Sequence, residues 1–271
     1  MRRPLDVELV RRGLATSRRE ARAEIGAGRV LVGGAPAAKP ARLVGPGEPV
    51  VVLAPPPRFV GRGGEKLDAA LDALGTSVAG LRCLDAGAST GGFTDCLLQR
   101  GAAEVVAVDV GRGQLHQRLR TDPRVRNLER TDVRCLRPGT VGGPADVVVA
   151  DLSFISLDTV LPVLVDLTTT RGELVVLVKP QFEAGRAEAG RGRGVISDPR
   201  IWRRVLEGLG AAGARAGTAM MGVVVSPLTG AEGNVEFFAH LRPATGGGGP
   251  SPGPEVDLDA VVDEAVRRHG G

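Results

Sequence analysis

From residue 81 onwards the chain alternates between two hydrophobic patterns. Short unbroken apolar runs, such as Val147–Ala150 and Leu174–Val178, mark strands buried on both faces. Between them, apolar residues recur every three or four positions, the mark of amphipathic helices. The pattern predicts strands within 82–89, 104–111, 146–154 and 173–180, with helices within 91–102, 113–120, 157–167 and 201–213. A further strand is expected near Val125–Leu128. The strands 220–228 and 234–241 are separated only by the turn-rich "TGAEG", so they should pair antiparallel. Such alternation predicts a mostly parallel α/β sheet with helices on both faces.

The first 55 residues read differently. A helix is expected over 5–13, stopping at Gly13. A second should start at Arg18, where Ser17 and Glu20 form a capping-box pattern. Two short strands, 29–34 and 47–52, complete a small α+β head spanning residues 1–55. The Pro/Gly-rich stretch around 56–64 reads as a linker, 65–243 as the large domain, and 244–271 as a flexible linker with a short amphipathic helix.

Charge separates the two parts. Residues 1–62 hold twelve Arg or Lys against five acids, a net of +7. The whole chain carries +4, which leaves −3 for the rest. A basic head on a mildly acidic body suggests that the head grips a polyanion. Arg18, Arg19 and Arg22 begin the second predicted helix, where the macrodipole disfavours cations, so an anion site is expected there. Arg2, Arg3 and Arg62 are further candidates for nucleic-acid phosphates. No run approaches the ~20 apolar residues that span a bilayer, and no leader pattern is seen. Three scattered cysteines and three histidines offer no metal-ligand spacing. Reduced thiols in a cytoplasmic protein are expected.

The loop "DAGASTGGFT", 85–94, joins a strand to a helix, where open α/β sheets bind ligands. Its spacing is neither the dinucleotide fingerprint nor a phosphate loop. Candidates for ligand contact are Asp85, Gly87, Ala88, Ser89, Thr90, Gly91, Gly92 and Phe93. Asp109, ending the next strand, suits ribose hydroxyls, and Asp132 an adenine edge. This set suits S-adenosylmethionine, with NAD as the competing ligand.

Four charges stand where the core should be apolar: Lys66, Asp151, Lys179 and Glu236. Of 35 basic residues only three are lysine, Lys39, Lys66 and Lys179, and two fall in this set. Arginine makes the better structural ion pair, whereas lysine can change protonation state when its surroundings demand it. Lysines here point to work on a hydroxyl beside a methyl donor. An ion-pair cluster is the structural alternative.

The motifs "GRGGEKL", "DAGASTGGFTDCLLQ", "DLSFISL", "KPQFE" and "GNVEFF", in this order, resemble the TlyA (haemolysin A) rRNA methyltransferases. The large domain resembles the wider FtsJ-type ribose 2′-O-methyltransferases, and the head is similar to the S4-like RNA-binding module. The resemblance covers about residues 4–242. It implies a Rossmann-like class I methyltransferase sheet with an antiparallel last strand. It also implies a Lys66-Asp151-Lys179-Glu236 tetrad, S-adenosylmethionine on the Gly87–Gly92 loop and Asp109, and no metal. The implied substrate is a cytidine 2′-hydroxyl in 16S or 23S rRNA within ribosomal subunits. Phe59 and Gly61 depart from the family's linker, which has Trp or Tyr and then serine. An RNA-binding assembly factor without catalysis, or a membrane-active haemolysin, are the rival readings.

Overall fold

The computed structural model describes residues 2–54, 57–185, 188, 194–244 and 255–269. The chain divides into two compact units, 1–57 and 58–271.

In the first unit β1 (Arg3–Pro4) leads into α1 (Leu5–Arg11) and α2 (Arg18–Gly26). Then come β2 (Val30–Val32), β3 (Ala35–Pro36), β4 (Leu43–Val44) and β5 (Val50–Val52). A three-stranded sheet, β3-β2-β5, and the β1-β4 pair flank a core of Leu5, Leu9, Ile25, Val30, Val32 and Val44. The α2 cap forms as the sequence predicts on one side, with the Ser17 hydroxyl accepting from Glu20 N–H at 3.2 Å. The reciprocal bond moves back one residue, the Glu20 carboxylate accepting from Thr16 N–H at 2.6 Å.

The second unit runs α3 (Arg62–Leu74), β6 (Arg82–Ala86), α4 (Gly92–Gln99), β7 (Glu104–Val108), α5 (Gln117–Arg120), β8 (Val125–Leu128) and α6 (Pro138–Val141). It continues with β9 (Ala145–Ala150), α7 (Leu157–Asp166), β10 (Thr168–Val178), α8 (Pro180–Glu183), α9 (Pro199–Arg215), β11 (Thr218–Val225), β12 (Phe237–Pro243) and α10 (Leu258–His269). Seven strands lie in the order β11-β12-β10-β9-β6-β7-β8. Strands β8, β7, β6, β9 and β10 are parallel neighbours. Alternate residues feed two cores: Leu84 and Ala86 join α7 and α9 on one face, Cys83 joins α3 and α4 on the other. The central strands β6, β7 and β9 are therefore apolar on both sides, as their unbroken runs require.

The last two strands form the antiparallel edge as predicted, with β12 paired to both β10 and β11. Three expectations shift. The strand expected from Asn234 starts at Phe237, three residues late. Asn234 is spent on a turn, its side-chain oxygen accepting from Ile196 N–H and its amide donating to the Gly194 carbonyl. The helix expected over 113–120 contracts to Gln117–Arg120. Finally α3 begins at Arg62, inside the expected linker. Its glycine-rich start forms a helix because it packs closely: a side chain on Gly64 would overlap the Phe59 ring, and one on Gly92 would crowd Gly63 and Gly64. Phe59 is accordingly buried. The C-terminal helix docks through Val262 and Ala265 onto the core that holds α9. Residues 245–254, expected as a flexible linker, lie outside the described residues.

Gly87 has φ +88° and leaves no room for a side chain, since a methyl group would overlap the Asp151 carbonyl oxygen. Gly87→Ala should destabilise the protein by about 2–3 kcal/mol, read as a lower urea midpoint. A midpoint equal to wild type would contradict this packing.

Candidate active site at the carboxyl edge of the sheet

The parallel strands deliver their carboxyl ends to one edge. The loop 85–94 leaves β6 there, Asp109 follows β7, Asp151 follows β9 and Lys179 follows β10. Strand β12 runs the other way, so its start reaches the same edge. Val178 pairs with Phe237, which sets Lys179 and Glu236, one residue beyond each, side by side.

Two ammonium–carboxylate pairs result. Lys66 Nζ donates to Glu236 Oε2 at 2.5 Å, with both residues buried. Lys179 Nζ lies 2.5 Å from Asp151 Oδ1 and donates to Ser153 Oγ at 3.0 Å. The second pair is the more accessible: the Asp151 side chain is 27% exposed and that of Glu236 3%.

A cavity of about 490 Å³ opens at Asp151 of the second pair, lined also by Gly87, Ser89, Asp109, Asp132 and Phe154 among others. Its size falls within the range for small-molecule sites. Asp109 is oriented by two backbone donors, Ser89 N–H to Oδ2 at 2.8 Å and Gly111 N–H to Oδ1 at 2.7 Å. Its remaining lone pairs can accept from a pair of hydroxyls. Asp132 accepts from Arg134 N–H at 2.9 Å and pairs with the Arg134 guanidinium, whose side-chain hydrogen bond holds its carboxyl below the ordinary value.

Asp85 is fully buried. Its Oδ2 accepts from the Thr94 hydroxyl at 2.6 Å, while Oδ1 has no partner. Burial pushes the carboxyl up to about 7. The Thr94 bond opposes this shift, and the carboxylates of Asp151 and Asp109 add to it. Asp109, Asp132 and Asp151 line the cavity, and of these only Asp109 has no cationic partner among the described residues, which leaves it a negative charge to offer a cationic ligand. A sulfonium nucleoside fits this set; the pyrophosphate of NAD would add two negative charges.

The loop residues separate by place. Gly87 and Ser89 line the large cavity. Both residues, with Ala88, Thr90, Gly92 and Phe93, also line a smaller recess of about 180 Å³ that includes Arg62 and Asp151. Gly91, at φ +101°, instead abuts Leu115 and Leu119. Arg62 is exposed and donates to the Thr229 carbonyl at 3.2 Å.

Within the head, Arg18 and Arg22 do not stand free. Both pair with the buried Asp6 carboxylate, at 2.9 and 2.8 Å. Burial alone would raise that carboxyl, but the two guanidinium groups outweigh it and hold it below its ordinary value. The anion expected at this helix start is thus supplied in part by the chain. Arg2, Arg3 and Arg19 are exposed, and Arg19 has no acid partner among the described residues.

Two groups at the site escaped the sequence reading. Phe154 is 90% exposed with φ +64°, and its ring lies 5.0 Å from that of Phe182. Glu183 ties the loop after β9 to the loop after β10. An aromatic three residues past the strand-ending acid, in a chain with six Phe, was the available signal for the first. The second stood in the motif "KPQFE" with no role assigned to it. Among the described residues no helix is long and apolar enough to cross a membrane, and no group of three potential ligands could hold a metal ion.

Comparison with known proteins agrees with this architecture. Residues 59–243 match the FtsJ-like methyltransferase family, and 3–50 the S4 domain. The chain is 53% identical over 242 residues to the 16S/23S rRNA (cytidine-2′-O)-methyltransferase TlyA of Mycobacterium tuberculosis, covering 89% of this chain and 90% of that protein. It is 36% identical to hemolysin A of Brachyspira hyodysenteriae, covering 88% and 98%. A solved structure described as a hemolysin, from Streptococcus thermophilus, superposes with a TM-score of 0.72 at 37% identity, covering 98% of this chain and 96% of that one.

Because the Asp85 value in the fold lies above the unfolded value of about 3.9, the folded state holds its proton to higher pH. That contribution to stability is complete below about pH 4 and is lost as pH rises to about 7. In cofactor-free protein, Asp85→Asn should therefore gain about 2–4 kcal/mol on wild type between pH 4 and pH 8, measured by denaturant unfolding. A stability difference that does not change with pH would refute the assignment.

Proposed function

Since the chain belongs to the TlyA family of rRNA methyltransferases, with an S4 domain ahead of an FtsJ-like methyltransferase domain, we propose that it methylates the ribose 2′-hydroxyl of cytidine in 16S and 23S rRNA within ribosomal subunits, using S-adenosylmethionine. The observation that carries this reading is the pairing of Lys66 with Glu236 and of Lys179 with Asp151, the last of which lines an acid-bearing cavity.

When bound, S-adenosylmethionine supplies an electrophilic methyl group on a sulfonium. Asp109 accepts from the ribose hydroxyls and Asp132 from the adenine edge, while the carboxylates around the cavity offset the positive charge. Lys179 touches the acceptor hydroxyl and aims its lone pair, because its partner Asp151 is the exposed carboxylate of the two pairs and Ser153 holds its ammonium at the cavity wall. Lys66 and Glu236, deeper in the fold, fix the floor of the site. Holding an oxygen in line with a methyl group supplies much of the rate in such a transfer.

A ribose 2′-oxygen reaches this wall only when its nucleotide leaves the stack. Phe154 and Phe182 give the extruded base an aromatic face. Arg2, Arg3 and Arg19, with the Asp6-held Arg18 and Arg22, contact rRNA phosphates, and Arg62 does so at the recess. Such contacts position without reading sequence.

Lys179→Ala should lower transfer of labelled methyl to ribosomal subunits by ~10³-fold or more, with cofactor affinity within ~3-fold of wild type. Lys179→Arg should fail as well, because a planar guanidinium locked in a bidentate pair with Asp151 cannot present a point donor to the acceptor hydroxyl as the ammonium does. Wild-type rates in either variant would remove Lys179 from its role. For the head, changing Arg2, Arg3 and Arg19 together to Ala should cut the slope of log affinity for subunits against log salt by about 3. An unchanged slope would place the phosphate contacts elsewhere.

A further inference from the structure

Glu183 lies on α8, four residues beyond Lys179, and no step described above uses it. Its carboxylate reaches across to the loop that follows β9. Oε2 accepts from the Ser156 hydroxyl at 2.7 Å, and Oε1 from the Leu157 backbone N–H at 2.9 Å. Leu157 N–H is one of the donors that open α7 and have no partner within the helix. The Ser156 hydroxyl in turn accepts from Asp158 N–H at 3.2 Å. One side chain thus joins the two segments that carry the acceptor side of the site.

Each segment brings one half of two contacts. The loop after β9 brings Asp151, Ser153 and Phe154. The loop after β10 brings Lys179 and Phe182. Across the gap, Lys179 meets Asp151 and Ser153, and Phe154 meets Phe182. These contacts sit on exposed or half-buried residues beside the cavity, where water competes for every polar bond. Apart from the main-chain ladder between β9 and β10, which ends at Val176 and Ala150, the Glu183 bonds are the fixed connection between the two loops.

We propose that Glu183 is a positioning residue: it clamps the loop after β9 to the loop after β10 and so sets the Lys179–Asp151 and Phe154–Phe182 geometry for the acceptor nucleotide. The clamp is geometric. Both contacts need an oxygen acceptor or a group that can pair with a hydroxyl, and neither needs a negative charge. A glutamine can keep both, its oxygen taking Leu157 N–H and its amide donating to Ser156 Oγ. An alanine keeps neither. The inference rests on the reading of Lys179 as the group at the acceptor hydroxyl.

The test uses the full chain with ribosomal subunits and labelled S-adenosylmethionine. Glu183→Ala should lower kcat by ~10- to 100-fold, the size of effect expected from displacing reacting groups by about an ångström. Cofactor affinity by calorimetry should stay within ~2-fold, because the clamp touches no cofactor-side residue. Glu183→Gln should restore kcat to within ~3-fold of wild type. Ser156→Ala, which removes one contact, should lose part of the rate, and the Ser156→Ala/Glu183→Ala double variant should be no worse than Glu183→Ala alone. The three lysines of this chain allow a second readout. In protein labelled with 13C at lysine Cε, Glu183→Ala should move the Lys179 signal and leave that of Lys39 in place, even if the variant is inactive for another reason. A kcat within 2-fold of wild type in Glu183→Ala, additive losses in the double variant, or an unmoved Lys179 signal would overturn the clamp. Glu183→Gln as impaired as Glu183→Ala would overturn its geometric character. If instead Lys179→Ala retains activity, the underlying reading fails, whatever Glu183 does.

Discussion

The site depends on a buried contact between Lys66 and Glu236, 170 residues apart in the chain. Lys66 sits in the first turns of the helix that opens the large unit; Glu236 immediately precedes its last strand. Burying either charge alone would cost several kcal/mol, and breaking such a pair costs about 3–5 kcal/mol. The pair is retained where a pair of apolar residues could serve for stability, which argues for a role in placing charge. It joins the beginning and end of the methyltransferase unit at the same edge where every parallel strand ends.

From that constraint the rest of the site follows. Inserting β12 against the direction of its neighbours brings Glu236 to the carboxyl edge beside Lys179. Lys179 then finds Asp151 from the adjacent parallel strand, so the two cations are each neutralised by a different acid. Next along the sheet lie Asp85 and Asp109; burial first, and then the carboxylates of Asp151 and Asp109, raise the cost of ionising Asp85. The result is a graded edge, with ammonium groups towards β10 and β12 and uncompensated carboxylate towards β6 and β7. In the proposed function a cationic methyl donor takes the second side and a hydroxyl acceptor the first, with the transfer between them.

Much of this was legible in the sequence because it depends on local pattern. Unbroken Val and Leu runs marked buried strands, and charges ending those runs marked the edge, so Asp151 and Lys179 could be brought together from sequence alone. The scarcity of lysine singled out Lys66 and Lys179. What was not legible depends on tertiary contact. The pairing of Arg18 and Arg22 with Asp6 joins two helices, and nothing in the spacing of those residues reveals it. The late start of β12 reflects an asparagine used in a distant turn. The helical start at Arg62 goes against glycine's low propensity, and packing against Gly92 overrides that preference. The exposure of Phe154 needs a positive φ, and the unpaired oxygen of Asp85 requires the burial to be known.

The most direct test of this account is a structure of the protein with S-adenosylmethionine bound. The account predicts the ribose on Asp109 and the donor methyl directed at the space beside Lys179 and Asp151, with the Lys66–Glu236 pair unbroken behind it. A methyl group directed away from Lys179, with that ammonium left in bulk solvent, would contradict it.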